Sequence, residues 1–153
     1  MQPMDPDILE HLLGVPVAAL GTLHGGAPFV SMVPVAPEPG RGFLIHVSRL
    51  ASHTRDLEAD PRASLMWMAP LDEEADPLAL PRVTVGCHAE PVPGGEADAA
   101  ARAYLARFPQ AEPLIGFGDF GFWRLRPDSA RLVAGFGRAM SLDRDAVLKA
   151  LEG

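Results

Sequence analysis

Apolar residues in this chain come in short runs, and most runs stop at Gly, Pro or Asp. Val15 to Leu23 is rich in Val, Ala and Leu and reads as a buried strand. His24-Gly25-Gly26 then signals a hairpin turn, because Gly tolerates positive φ. Pro28 to Val35 is the return strand, Pro37 to Gly42 a second turn, and Phe43 to Val47 a third strand. Ala63 to Met68 and Val83 to Val92 give a fourth and fifth, separated by a Pro-punctuated loop from Pro70 to Pro81. Phe120 to Leu125 and Arg131 to Phe136 predict two more strands, joined by a turn at Pro127-Asp128. Helical patterns fall between them. Asp7 caps Ile8 to Leu13, which Gly14 stops, and Ser52 caps His53 to Ala59 before Asp60-Pro61. Glu96 to Phe108 is an Ala-, Leu- and Arg-rich helix, and Ser141 or Asp143 caps a last one ending at Leu151. Strand, tight turn, strand implies antiparallel pairing, and apolar majorities in each strand imply a barrel or packed sheet.

Composition narrows the picture. A chain of 153 residues fits a single domain over 1–153, and 48% hydrophobic content is enough for a core. The net charge of -7, with no Lys/Arg run, argues against nucleic acid as a partner. Cys87 is the only cysteine, so no internal disulfide forms, which fits a reducing cytoplasm. Met1-Gln2-Pro3-Met4-Asp5 has neither a basic nor an apolar leader region, and no apolar run reaches membrane-spanning length. A soluble cytoplasmic protein is expected.

Several motif matches carry no chemistry. Gly116-Phe117-Gly118-Asp119-Phe120-Gly121 matches a dinucleotide fingerprint but lacks a strand before it and a helix opening at it. Its Asp119-Phe120-Gly121 triplet stands without the other kinase signatures. The five histidines, at 11, 24, 46, 53 and 88, show no metal spacing, so no metal site is expected. Cys87 and His88 are strand neighbours facing opposite ways. His46 and His88 lie on predicted strands, where core or surface roles are expected of them rather than iron ligation.

One segment does suggest a ligand. Ser52 to Arg55 opens a helix, so free N–H groups and a positive dipole end face any nearby anion. Ser48 and Thr54 offer hydroxyls and Arg55 a forked cation. The same residues also read as a capped surface helix in which Arg55 pairs with Asp56 or Glu58.

Three stretches stand together: Pro28-Phe29-Val30-Ser31-Met32-Val33-Pro34; Ser48-Arg49-Leu50-Ala51-Ser52-His53-Thr54-Arg55-Asp56-Leu57 closed by Asp60-Pro61-Arg62-Ala63-Ser64-Leu65; and Leu80-Pro81-Arg82-Val83-Thr84-Val85-Gly86 followed by Phe122-Trp123-Arg124-Leu125-Arg126-Pro127. In this order they resemble the pyridoxamine 5′-phosphate oxidase-like FMN-binding split-barrel superfamily, and within it the haem-utilisation (HugZ-type) branch. The resemblance covers about residues 8–140. It implies a mainly β, α+β domain: a six-stranded antiparallel Greek-key split barrel with short flanking helices. It further implies a homodimer with FMN across the subunit interface. On that resemblance, Ser31, Met32, Val33 and Pro34 run beside the flavin ring. Ser48, Arg49, His53, Thr54 and Arg55 hold the phosphate, and Arg82 lies close to the ring.

The departures shift the expected function. The substrate-phosphate Arg-x-His pair of true pyridoxamine phosphate oxidases is replaced by Gly135-Phe136-Gly137-Arg138-Ala139-Met140. Pyridoxamine phosphate is therefore not the expected substrate. Where the haem branch often places a histidine, this chain has Met140, so haem degradation is expected to be weak or absent. The leading expectation is an FMN-dependent oxidoreductase acting on a small molecule, with catalytic residues unassigned. The alternatives are a haem-binding or haem-degrading protein on the same scaffold, and a non-catalytic FMN-binding module.

Overall fold

A computed structural model describes residues 6–152. Met1 to Asp5, where the sequence shows no leader signature, lies outside the described residues. Five helices and eight strands alternate in the order α1 (Pro6–Leu13), β1 (Val17–His24), β2 (Ala27–Pro34), β3 (Ala36–Glu38), β4 (Gly42–Ser48), α2 (Ser52–Ala59), β5 (Arg62–Met68), β6 (Arg82–Pro91), α3 (Ala97–Arg107), α4 (Glu112–Ile115), β7 (Phe120–Val133), β8 (Ala139–Asp143) and α5 (Arg144–Ala150). All strand pairs are antiparallel. The hydrogen-bonded order is β2-β1-β5-β6-β7-β4-β3, with β8 on β7. β2 and β4 approach each other without pairing, so the sheet curls but stays open between them. This is a split barrel of eight strands, not the six expected, because β3 and β8 are short additions that the sequence reading took for turn and helix-cap residues.

The strands follow their side-chain alternation. β1, β5 and β6 bury every second residue, so one face packs inward. Leu20, Phe43, Ile45, Leu65, Trp67, Val83, Val85 and Leu125 fill the interior, with the Phe43 and Trp67 rings 5.0 Å apart. β4 is packed on both faces. Its other side, with Ala36 of β3, packs Leu44 beneath Ala100, Tyr104 and Phe108 at the α3 layer. The β1–β2 hairpin turns through Gly25 and Gly26 at φ 58° and 86°, the conformation that Gly adopts freely. Gly42, at φ 137°, sits where a Cβ would collide with the Leu125 carbonyl.

Three local expectations are corrected. Pro127-Asp128 is not a turn: β7 runs unbroken for 14 residues, and the pairing with β6 shifts by one residue at Gly86/Cys87, leaving Asp128 as a bulge. Proline is tolerated at such a bulge because no ladder N–H is needed there. The real hairpin comes later, at Ala134 to Arg138, where the Ala134 N–H donates to the Arg138 carbonyl at 2.9 Å. Ser52 does not cap α2. The cap position is Ala51, with no side-chain hydrogen bond, and Asp60 follows the helix. Asp7 lies inside the first turn of α1 rather than before it. Asp143 does cap α5, accepting from the Ala146 N–H at 2.9 Å. Gly116 to Asp119 is a turn between α4 and β7, with no helix opening at the Gly-rich motif.

Candidate functional site

Two places on this frame offer binding chemistry. The first is the junction where β4 ends and α2 begins. It brings Ser48, Arg49, His53, Thr54 and Arg55 together in sequence and space. Thr54 is buried, and its hydroxyl donates to the Ser48 carbonyl at 2.6 Å. The Ser48 hydroxyl donates to Asp119 Oδ2 at 3.0 Å and accepts from the Leu50 N–H. Both hydroxyl protons are thus committed within the chain, and a carboxylate stands beside Ser48. Arg49 is exposed, with one N–H on the Gly118 carbonyl at 3.0 Å. Arg55 is exposed on the first turn of α2, and neither Asp56 nor Glu58 holds its guanidinium.

Asp56 serves another partner. It is buried and accepts from the Thr22 hydroxyl at 2.9 Å, while His24 Nδ1 lies 2.6 Å from its other oxygen. Burial acts to raise the Asp56 pKa, but the His24 and Thr22 contacts outweigh it and the net direction is down. His53, on the same helix, has Nε2 buried with no protein partner. Burial lowers its pKa against the pull of Asp56. Ser31 Oγ, on β2, is buried and equally without a partner. Two expected cofactor residues therefore carry polar atoms that a bound ligand or water would satisfy.

The rest of the expected set is spread out. Val33 points into the core, whereas Met32 and Pro34 are exposed on β2, an edge strand. Arg82 pairs with Met68 across β5–β6 and donates to the Leu78 and Leu80 carbonyls at 3.2 and 2.9 Å. It braces the loop before β6, at the opposite end of that strand pair from Arg62 and the adjoining Asp60 at the end of α2.

The second place is a cavity of about 640 Å³ between the α3–α4 layer and the outer face of β4 and β7. His46, Phe120, Phe122 and Ile115 line it, with Arg49, Glu58 and Asp98 among its polar groups. Ala97 and Ala101 stand one helical turn apart on α3, and their short side chains leave the space open. The His46 ring packs at 4.4 Å from Phe122, 5.3 Å from Phe120 and 5.7 Å from Tyr104. Burial lowers the His46 pKa, so the imidazole is neutral near pH 7 and keeps a lone pair. The sequence reading missed this cavity because its walls come from segments far apart in the chain.

Elsewhere the chemistry is structural. Burial, with Asp128 nearby, pushes the Cys87 thiol up to about 12, which makes it unreactive. His88 is held by Asp128 at 2.9 Å. No group of three or more His, Cys, Asp or Glu side chains able to hold a metal occurs among the described residues. No described helix is long and apolar enough to cross a membrane.

The family model described as pyridoxamine 5′-phosphate oxidase matches residues 4–134. The chain belongs to this family. The fold agrees: a haem-binding protein of Mycobacterium smegmatis superposes with a TM-score of 0.84 at 35% identity, over 97% of this chain and 62% of that one. A chloroplastic haem oxygenase of Arabidopsis thaliana is 37% identical over 118 residues, which is 76% of this chain and 35% of the relative. Haem oxygenase HutZ of Vibrio cholerae is 29% identical over 149 residues, 93% of this chain and 82% of the relative. The chain thus spans about a third of the Arabidopsis relative and under two thirds of the mycobacterial protein. All three of these relatives carry names that refer to haem. These likenesses agree with the resemblance to the haem-utilisation branch and favour the haem alternative over the flavin expectation.

Proposed function

We propose that this chain binds haem on the oxidase-family scaffold, as a homodimer. The observation that carries the reading is the largely apolar cavity of about 640 Å³, with a neutral imidazole in its wall and Arg49 in its lining. Pockets of about 300–1,000 Å³ suit ligands of this class. The donor set fits haem: an apolar aromatic wall for the macrocycle, a nitrogen lone pair for iron, and a guanidinium for a propionate. Similarity over nearly the whole chain to a haem-binding protein supports the same reading. When bound, haem supplies a redox-active iron, and the protein's part is to seat and orient it.

The dimer rests on β2. Val30 and Met32 are each 66% exposed and Phe29 44%, on a strand whose outer edge is unpaired. An exposed apolar edge strand is a liability unless covered, and a second copy offers a self-complementary cover.

FMN at the β4–α2 junction is the second reading. It is favoured by the unpartnered Ser31 Oγ and His53 Nε2 and by the free Arg55 guanidinium. The absorption spectrum of protein purified from cells supplied with both precursors separates the two. A Soret band with no flavin bands supports haem. Flavin bands alone overturn the haem reading in favour of FMN.

A further inference from the structure

We infer that Asp119 decides what the β4–α2 junction accepts: its carboxylate takes the Ser48 hydroxyl for itself and turns away ligands that bring a phosphate monoester, FMN among them. The inference stands on the junction alone and goes beyond the haem reading, so either can fail without the other.

Asp119 closes the Gly-rich turn between α4 and β7, a segment whose motif matches carried no chemistry of their own. A serine hydroxyl has one proton to give. That of Ser48 goes to Asp119 Oδ2 at 3.0 Å, and its oxygen receives the Leu50 N–H at 3.1 Å. The Thr54 hydroxyl is spent on the Ser48 carbonyl at 2.6 Å, which also accepts the Ala51 N–H at 3.1 Å. These are donors that an anion lying between the strand end and the helix start would need. What α2 still offers an anion is its first-turn backbone, the Arg55 guanidinium and the buried Nε2 of His53.

The carboxylate is held in place from both sides. The Arg49 N–H donates to the Asp119 carbonyl at 2.7 Å, and Arg49 Nη2 donates to the Gly118 carbonyl at 3.0 Å. The next residue, Phe120, is already paired with Ser48 in the β4–β7 ladder. Asp119 has no salt-bridge partner among the described residues, so no neighbouring cation neutralises it. A phosphate monoester carries a charge of about −1.5 to −2 at pH 7. Bringing it to Ser48 sets two anions against one hydroxyl proton, in a half-buried place where water screens them less than in bulk. A ligand of the same ring system without the phosphate meets no such repulsion.

Titration of the wild type, Asp119→Asn, Asp119→Asn/Arg55→Ala and Asp145→Asn with FMN and with riboflavin, followed by flavin fluorescence, tests the assignment. The wild type is expected to show no preference for FMN over riboflavin. Asp119→Asn keeps an oxygen acceptor for Ser48 and loses only the charge. It is expected to bind FMN at least about tenfold more tightly, equivalent to about 1.4 kcal/mol, with riboflavin unchanged. Adding Arg55→Ala removes the gain. Asp145→Asn, on the exposed first turn of α5, changes the net charge equally and leaves both affinities as in the wild type. A wild type that binds FMN about tenfold more tightly than riboflavin overturns the inference, whether or not any variant folds. So does Asp119→Asn with unchanged FMN affinity, with equal gains for both flavins, or with a gain that Asp145→Asn reproduces. A haem titration of the wild type run alongside reports on the haem reading separately, and its failure leaves the comparison of the two flavins intact.

Discussion

Arg124 reaches Glu38 across 86 positions of sequence with a two-pronged contact, Nε to Oε1 at 2.6 Å and Nη2 to Oε2 at 3.1 Å. The guanidinium is only 1% exposed and also meets Glu96 at 3.2 Å and Glu90 at 3.6 Å. Arg41 and Arg126 continue the network to Glu96 and Glu90. One buried cation thus joins β7, the end of β3, the end of β6 and the turn that opens α3. The pairing fixes the face of the sheet on which α3, and with it the cavity, is built.

Removing that cation leaves Glu38 buried without a partner. Arg124→Met is expected to cost about 3–5 kcal/mol, because a buried carboxylate loses its compensation. Chemical denaturation of the variant measures this. The double variant Arg124→Met/Glu38→Met is expected to recover a large share of the loss, since no stranded charge remains.

Acid should weaken the end of α2. The Arg62 side-chain hydrogen bond, then its backbone N–H, hold the Asp60 pKa down to about 2. The Asp56 pKa is also lowered, by His24 and Thr22 against the effect of burial. A depressed carboxylate contributes stability that is complete above its unfolded pKa, near 4, and lost as pH falls through the folded value. Melting temperature is therefore expected to fall between about pH 4 and pH 2. Asp60→Asn should flatten that part of the profile, and Asp60→Asn/Asp56→Asn should flatten more of it.

How much of this was legible in the sequence follows the range of the interactions. Hairpins, caps and alternation are local, so β1, β2, β4, β5, β6 and α3 are found within a residue or two of their expected ends. Pro127 misled because a proline signals a turn locally, while pairing to β6 turns the same residues into a bulge. The junction at Ser48 to Arg55 was visible because it is contiguous. Its hydroxyl bonds were not, since Asp119 arrives from 71 positions away. The His46 cavity needed β4, α3, α4 and β7 assembled, and no local pattern announces it. Ala97 and Ala101, two small residues one turn apart, are the only hint the sequence carries.

Arg55 decides the flavin reading. If FMN binds at the α2 junction, Arg55→Ala should weaken it about ten- to a hundredfold, the loss of one charge-assisted contact. Riboflavin, lacking the phosphate, should be unaffected by the same change. Fluorescence quenching of both flavins by the two proteins reads this out. Equal effects on both ligands would remove the phosphate from this junction.

Met32 tests the dimer. Placing a charge on the exposed face of β2 by Met32→Lys is expected to convert a micromolar-stable dimer to monomer without unfolding it, because the side chain is already in solvent within one chain. Sedimentation velocity distinguishes the two species. A wild type that is monomeric at tens of micromolar would remove β2 as a dimer surface.

Equilibrium titration of the ligand-free protein with haem, followed in the Soret region and paired with an FMN titration followed by flavin fluorescence, tests the central claim. The account predicts saturation at one haem per chain with a dissociation constant of about 1 μM or tighter, equivalent to about 8 kcal/mol of binding free energy, and weaker binding of FMN. A linear, non-saturating haem response alongside saturable FMN binding would contradict it.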